Sequence, residues 1–120
     1  MNKKILIVED EKPLARVMSL KLSSAGYQTS VSFDGEQALE ILSKESFDLI
    51  ILDLVMPKKD GYFVLSELKR LNIKIPVIVA SNLGQQEDIE KAKKLGAVDY
   101  FVKSDITLVE MVNKVKQYLQ

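Results

Sequence analysis

The sequence predicts an α/β fold: a parallel five-stranded sheet, doubly wound, with helices on both faces. Three observations predict it. Short apolar runs alternate along the chain with stretches of helical periodicity. The first and third runs, Ile5-Leu6-Ile7-Val8 and Leu49-Ile50-Ile51-Leu52, are almost continuously apolar, as strands buried on both faces are. Glycines and capping residues punctuate the junctions.

Each element follows in order. Lys4 to Val8 reads as a strand that stops at the acids Glu9 and Asp10. Leu14, Val17, Met18, Leu22 and Ala25 then recur at helical spacing, behind a proline, Pro13, placed where a first helical turn tolerates one. Gly26 ends that helix. Tyr27 to Phe33 reads as a second strand, more polar and so nearer an edge. Asp34 with Gln37 resembles a capping box, opening a helix that turns Ala38, Ile41 and Leu42 inward. Asp48 to Leu54 is the third strand. The loop Met56-Pro57-Lys58-Lys59-Asp60-Gly61 precedes a helix running to about Leu71. Pro76 to Ala80 is the fourth strand, Gln85 to Leu95 a polar helix stopped by Gly96, and Val98 to Val102 the fifth strand. Thr107 and Glu110 form a second capping box for a last helix with Leu108, Met111, Val112, Val115, Tyr118 and Leu119 on one face.

Right-handed crossovers leave few topologies for such a chain. The order 2-1-3-4-5 of the flavodoxin-like fold places the two most apolar strands inside. Its ligand site lies outside the carboxyl ends of the strands, at the switch between strands one and three.

Bulk composition narrows the function. A chain of 120 residues is the size of one domain, here residues 1–120. Lys plus Arg equals Asp plus Glu at 17 each, so the basic excess of a phosphate-gripping nucleic-acid binder is missing. With no cysteine and no histidine, His-dependent triads, thiolate chemistry and His- or Cys-ligated zinc are excluded. The apolar run near the N-terminus is too short for a signal peptide or a membrane span, and a cytoplasmic location is expected.

Carboxylates and lysine are left to carry the chemistry, and the strand ends supply them. Strand one ends in Glu9-Asp10, strand three in Asp53, strand four in Ser81, strand five in Lys103. One acid after a strand is ordinarily a solvated loop residue or helix cap. Suitable groups at four ends of one sheet are better explained by a site for a phosphate and a hard cation. Clustered carboxylates repel, so they take up protons or bind a cation, and an oxygen-only donor set favours Mg²⁺. Lys103 would neutralise a phosphoryl group, and Ser81 would hydrogen-bond to it. Asp53 closes the strand read as central and is the chosen nucleophile for an aspartyl-phosphate.

Glu9-Asp10, Asp53 within Leu-Asp-Leu-Val-Met-Pro, Asp60-Gly61, Ser81 and Lys103 together resemble the receiver domain of two-component response regulators, over essentially the whole chain. The resemblance implies that Asp53 accepts a phosphoryl group from a phosphohistidine on a sensor histidine kinase or phosphotransfer protein, or from acetyl phosphate. It implies that Asp10, Asp53 and the Val55 carbonyl bind Mg²⁺, with Glu9 reaching it through water. Lys103 would pair with the phosphoryl group while Ser81 moves toward it, and Tyr100 would be the aromatic that turns inward in response. The output surface would be the fourth helix, fifth strand and fifth helix, open to an unknown downstream target or to homodimerisation on phosphorylation.

Two departures stand out. Ser104 follows Lys103 where the family usually has a proline, often cis. A non-proline cis bond costs about 3 kcal/mol, so a trans peptide and a differently set Lys103 loop are expected. Val55 and Leu83, two residues past Asp53 and Ser81, are apolar where the family's hydrolytic water passes, which predicts slow self-dephosphorylation. Other classes fit less well. A Mg²⁺-dependent phosphatase would want an acid where Val55 stands, a pseudo-receiver would lack part of the acid–Asp–Lys set, and a nucleotide or flavin site would want a Gly-rich loop after strand one.

Overall fold

The computed structural model describes residues 2–119. Five parallel strands, β1 (Lys4–Val8), β2 (Gln28–Ser32), β3 (Leu49–Leu52), β4 (Val77–Ser81) and β5 (Asp99–Val102), lie in the order β2-β1-β3-β4-β5. The connecting helices are α1 (Lys12–Ser24), α2 (Gly35–Lys44), α3 (Gly61–Arg70), α4 (Gln86–Lys94) and α5 (Leu108–Leu119). The flavodoxin-like topology predicted above is the one observed.

Strand periodicity divides the core into two layers, because successive side chains of a strand point to opposite faces. Leu6, Val8, Ile50, Leu52, Val77, Val79 and Tyr100 face α2, α3 and α4. Ile5, Ile7, Leu49, Ile51, Ile78, Ala80 and Phe101 face α1 and α5. From Ile5 onward on β1, and throughout β3, residues are buried whichever way they point, which is why those strands read as unbroken apolar runs. Full burial of one such Leu or Ile contributes about 1.5–3 kcal/mol, so these strands fix where their carboxyl ends stand.

The Thr107 box forms as read, whereas at Asp34 the return bond goes one residue before the cap. The Asp34 carboxylate accepts from the Gln37 amide at 2.7 Å, and the Gln37 side chain accepts from the Phe33 amide at 2.9 Å. Thr107 and Glu110 exchange backbone-to-side-chain bonds of 3.1 and 2.9 Å.

Several expectations are corrected. On α1 the buried residues are Ala15, Met18 and Leu22, whereas Val17 and Ala25 are exposed. The helix starts at Lys12, and Ala15, Met18 and Leu22 keep one stripe from there, while Ala25 already lies in the exit turn. Tyr118 is also exposed, with its hydroxyl on Asp99 at 3.0 Å. β5 begins one residue later than read, with Val98 exposed before it.

Candidate phosphoryl-accepting site

The carboxyl ends of β1, β3, β4 and β5 meet at one cleft of about 270 Å³, lined by Asp10, Glu11, Asp53, Val55, Ser81, Asn82, Leu83 and Lys103. β1 and β3 are direct neighbours, with Val8 opposite Leu52. Their next residues, Glu9 and Asp53, are therefore carried side by side. The register is extended past the strands by two bonds, from the Glu9 amide to the Ser32 carbonyl at 2.9 Å and from the Asp53 amide to the Val8 carbonyl at 3.0 Å.

Glu9, Asp53 and Ser81 are all buried polar residues. The Lys103 ammonium bridges the two acids, 2.8 Å from Glu9 Oε1 and 3.2 Å from Asp53 Oδ2, with Glu11 farther off at 4.0 Å. Burial pulls the Lys103 pKa down, but the Glu9 hydrogen bond and the charges of Asp53 and Glu9 outweigh it and hold the ammonium above its ordinary value. Burial pushes Glu9 up, against the lowering pull of Lys103 and of its bond from the Glu11 amide. Asp53 keeps its second oxygen, Oδ1, toward the Val55 amide at 3.4 Å.

Carboxylate oxygens of Glu9, Asp10 and Asp53 lie within 4.8 Å of one another. One ammonium cannot balance three carboxylates, and the donors are all hard oxygens. The donor set therefore fits a hard divalent cation such as Mg²⁺.

Ser104 does not displace Lys103. The Lys103–Ser104 peptide is trans, as expected, and Lys103–Asp105 winds into a single 3-10 turn. The lysine still reaches Asp53, so the expected resetting of the loop does not occur at the ammonium.

Ser81 Oγ accepts from the Leu83 amide at 3.2 Å, which holds the hydroxyl at the cleft. Tyr100 is buried, and its hydroxyl donates to the Leu83 carbonyl. Burial raises the phenol's pKa above the ordinary value. The tyrosine thus already points inward, tied to the loop that follows Ser81.

All eight residues singled out from the sequence fall in or against this cleft. Two structural reasons were not legible. Gly61, already part of the motif, is needed because a Cβ there would fall on the Asp53 carbonyl. Lys58 and Lys59 hold left-handed backbone, with φ of 50° and 77°. A Gly after Asp60 was visible as a turn signal. Two lysines carry none, since neither favours positive φ.

Comparison with known proteins agrees with the topology. The profile of the response regulator receiver domain matches residues 5–116. The chain belongs to that family, whose members are signalling switches of two-component systems and not turnover enzymes. It is 37% identical over 119 residues to sporulation initiation phosphotransferase F of Bacillus subtilis, covering 99% of this chain and 95% of that protein. It is 44% identical over 102 residues to the probable transcriptional regulator ycf27 of Cyanophora paradoxa, covering 85% of this chain but only 42% of that protein. The chain thus spans less than half the length of that regulator. Among solved structures, the receiver domain of Francisella response regulator 1452 superposes with a TM-score of 0.92 at 33% identity, covering 98% of this chain and 96% of that one.

Proposed function

We propose that this chain is a phosphorylation-dependent switch in which Asp53 is the phosphoryl acceptor. The observation that carries this reading is the Lys103 ammonium held between Glu9 and Asp53 at the floor of the cleft. An oxygen of Asp53 attacks phosphorus; the new O–P bond forms as the donor's P–N bond breaks, and the donor imidazole departs. A second donor class, acetyl phosphate, gives up its phosphoryl group with loss of acetate. Lys103 lies where charge builds on the transferred oxygens, and its part-buried ammonium, already held among carboxylates, needs little reorganisation to meet it. Glu9, Asp10, Asp53 and the Val55 carbonyl would hold Mg²⁺, which when bound supplies the cationic charge that lets three acids and a phosphoryl group share one site.

The response runs through Ser81. Its hydroxyl turns from the Leu83 amide toward the phosphoryl oxygens, and the Leu83 loop, to which Tyr100 is tied, resettles. α4, β5 and α5 then present a changed surface to a downstream target or to a second copy. The donor is a sensor histidine kinase or phosphotransfer protein in the cytoplasm. Neutral net charge argues against direct nucleic-acid binding by this chain, and among the described residues no helix is long and apolar enough to cross a membrane.

Incubation with Mg²⁺ and acetyl phosphate or phosphoramidate, read by intact mass, tests the acceptor. One phosphoryl addition is expected for the wild type and none for Asp53→Asn or without Mg²⁺. Addition that survives in Asp53→Asn would assign the chemistry to another carboxylate. Val55 is exposed and, like Leu83, lines the cleft mouth. Replacing both, as Val55→Asn with Leu83→Glu, is expected to shorten the phosphoryl lifetime about tenfold by positioning water; an unchanged lifetime would end that reading.

A further inference from the structure

The segment between Asp53 and α3 is pinned at both ends. At its neck the Gly61 amide donates to the Leu54 carbonyl at 3.0 Å, and the bare Gly61 Cα lies against the Asp53 carbonyl. At its tip the contact is with a different element, the first turn of α2. The Glu36 amide donates to the Lys58 carbonyl at 3.0 Å. A Cβ built on Gly35 would fall on the Lys59 carbonyl oxygen, with the carbonyl carbon only 2.8 Å away. Lys58 and Lys59 both hold positive φ where this approach is made, a conformation that a lysine side chain disfavours. Two successive strained residues persist only where the surroundings over-determine them.

We propose that Gly35 is a positioning residue of the phosphoryl site: its missing side chain lets α2 clamp the Lys58–Lys59 tip, and this clamp sets the Val55 backbone beside Asp53. The inference rests on the reading of Asp53 and Val55 given above. With neck and tip both fixed, the intervening Val55–Pro57 backbone has little freedom left. The Val55 carbonyl is then presented to the cation without an ordering cost at binding. Alanine at position 35 suits the helix itself, since Ala is the better helix former, so any loss in Gly35→Ala comes from the clamp.

The test uses the whole chain and Mg²⁺ alone as the probe. In the metal-free wild type, the Glu36 amide should exchange slowly, although an N–H in a first helical turn has no partner in its own helix. Its resonance should follow added Mg²⁺ with the same midpoint as that of Val55, and neither should respond in Asp53→Asn. Gly35→Ala is expected to weaken Mg²⁺ about tenfold and to slow phosphorylation by acetyl phosphate about tenfold to a hundredfold. Adding Lys59→Gly, which frees the tip to move off the new methyl, should restore much of both. Leu42→Ala serves as control. It opens the buried far end of α2 and should lower stability while leaving Mg²⁺ affinity within about twofold.

A fast-exchanging Glu36 amide, or wild-type affinity in a folded Gly35→Ala, overturns the clamp, as does equal weakening by Leu42→Ala. If Gly35→Ala does not fold, the exchange and titration of the wild type decide alone. A wild type that neither binds Mg²⁺ nor takes a phosphoryl group overturns the acceptor reading itself, and the clamp's role with it.

Discussion

α3 and α4 cover the same face of the sheet, yet they are attached to it by different means. α3, with 10 residues, buries Gly61, Val64, Leu65 and Leu68. α4, with 9, buries Ala92 alone. What α4 lacks in apolar contact it replaces with Tyr62 of α3. The Tyr62 hydroxyl donates to Asp88 at 3.2 Å, and the Lys91 ammonium stands 4.1 Å from the centre of its ring. A helix held by a few methylenes and one polar clasp can change its seat at small cost, while one embedded by three large side chains cannot. The contrast matches the proposed roles. In that proposal α3, which follows directly from the Asp53 loop, holds it still, whereas α4 belongs to the surface that answers.

Mutations can break this contrast or sharpen it. The largest effect is expected for Leu65→Ala, which should lower unfolding free energy by about 2–5 kcal/mol in a urea titration. Ile89→Ala, on half-buried Ile89 of α4, should cost about 1 kcal/mol. Equal losses at the two sites would abolish the distinction. Tyr62→Phe comes next, with about 0.5–1.5 kcal/mol for the lost hydrogen bond. Its sharper signature is local: amide exchange should quicken along α4 and stay unchanged along α3.

The smallest effect is a pH dependence. Burial first, and the nearby Asp88 carboxylate second, push the Tyr62 phenol from 10.0 up to about 12. The fold therefore favours the protonated phenol. Its contribution is complete below pH 10 and is lost as pH rises through about 12, because the unfolded chain releases that proton first. Absorbance titration at alkaline pH should show a tyrosine titrating at about 12 that is missing from Tyr62→Phe, whose stability should also fall less steeply over the same interval.

How far the sequence could be read followed from how local each cause was. β1 and β3 were legible because burial on both faces leaves no polar position to confuse the pattern, and the caps at Asp34 and Thr107 because their partners lie three residues on. Val17 misled, since an apolar residue one step off the stripe of Ala15, Met18 and Leu22 looks like a member of it. The cluster of Glu9, Asp53, Ser81 and Lys103 was found without coordinates because the fold puts every strand's end at the same rim. The left-handed pair Lys58-Lys59 was invisible. It packs against the first turn of α2, more than twenty residues earlier in the chain, and nothing in the lysines themselves signals it.

The bridge from Lys103 to Glu9 joins residues 94 apart in sequence, and that to Asp53 spans 50. No shorter stretch of the chain contains the site, and closing so long a loop is among the slower steps a small domain undertakes. A nascent chain with β1 to β4 already paired would display its acids with no cation of its own beside them. Competence for phosphoryl transfer would then appear late and all at once, when the last strand slots against β4.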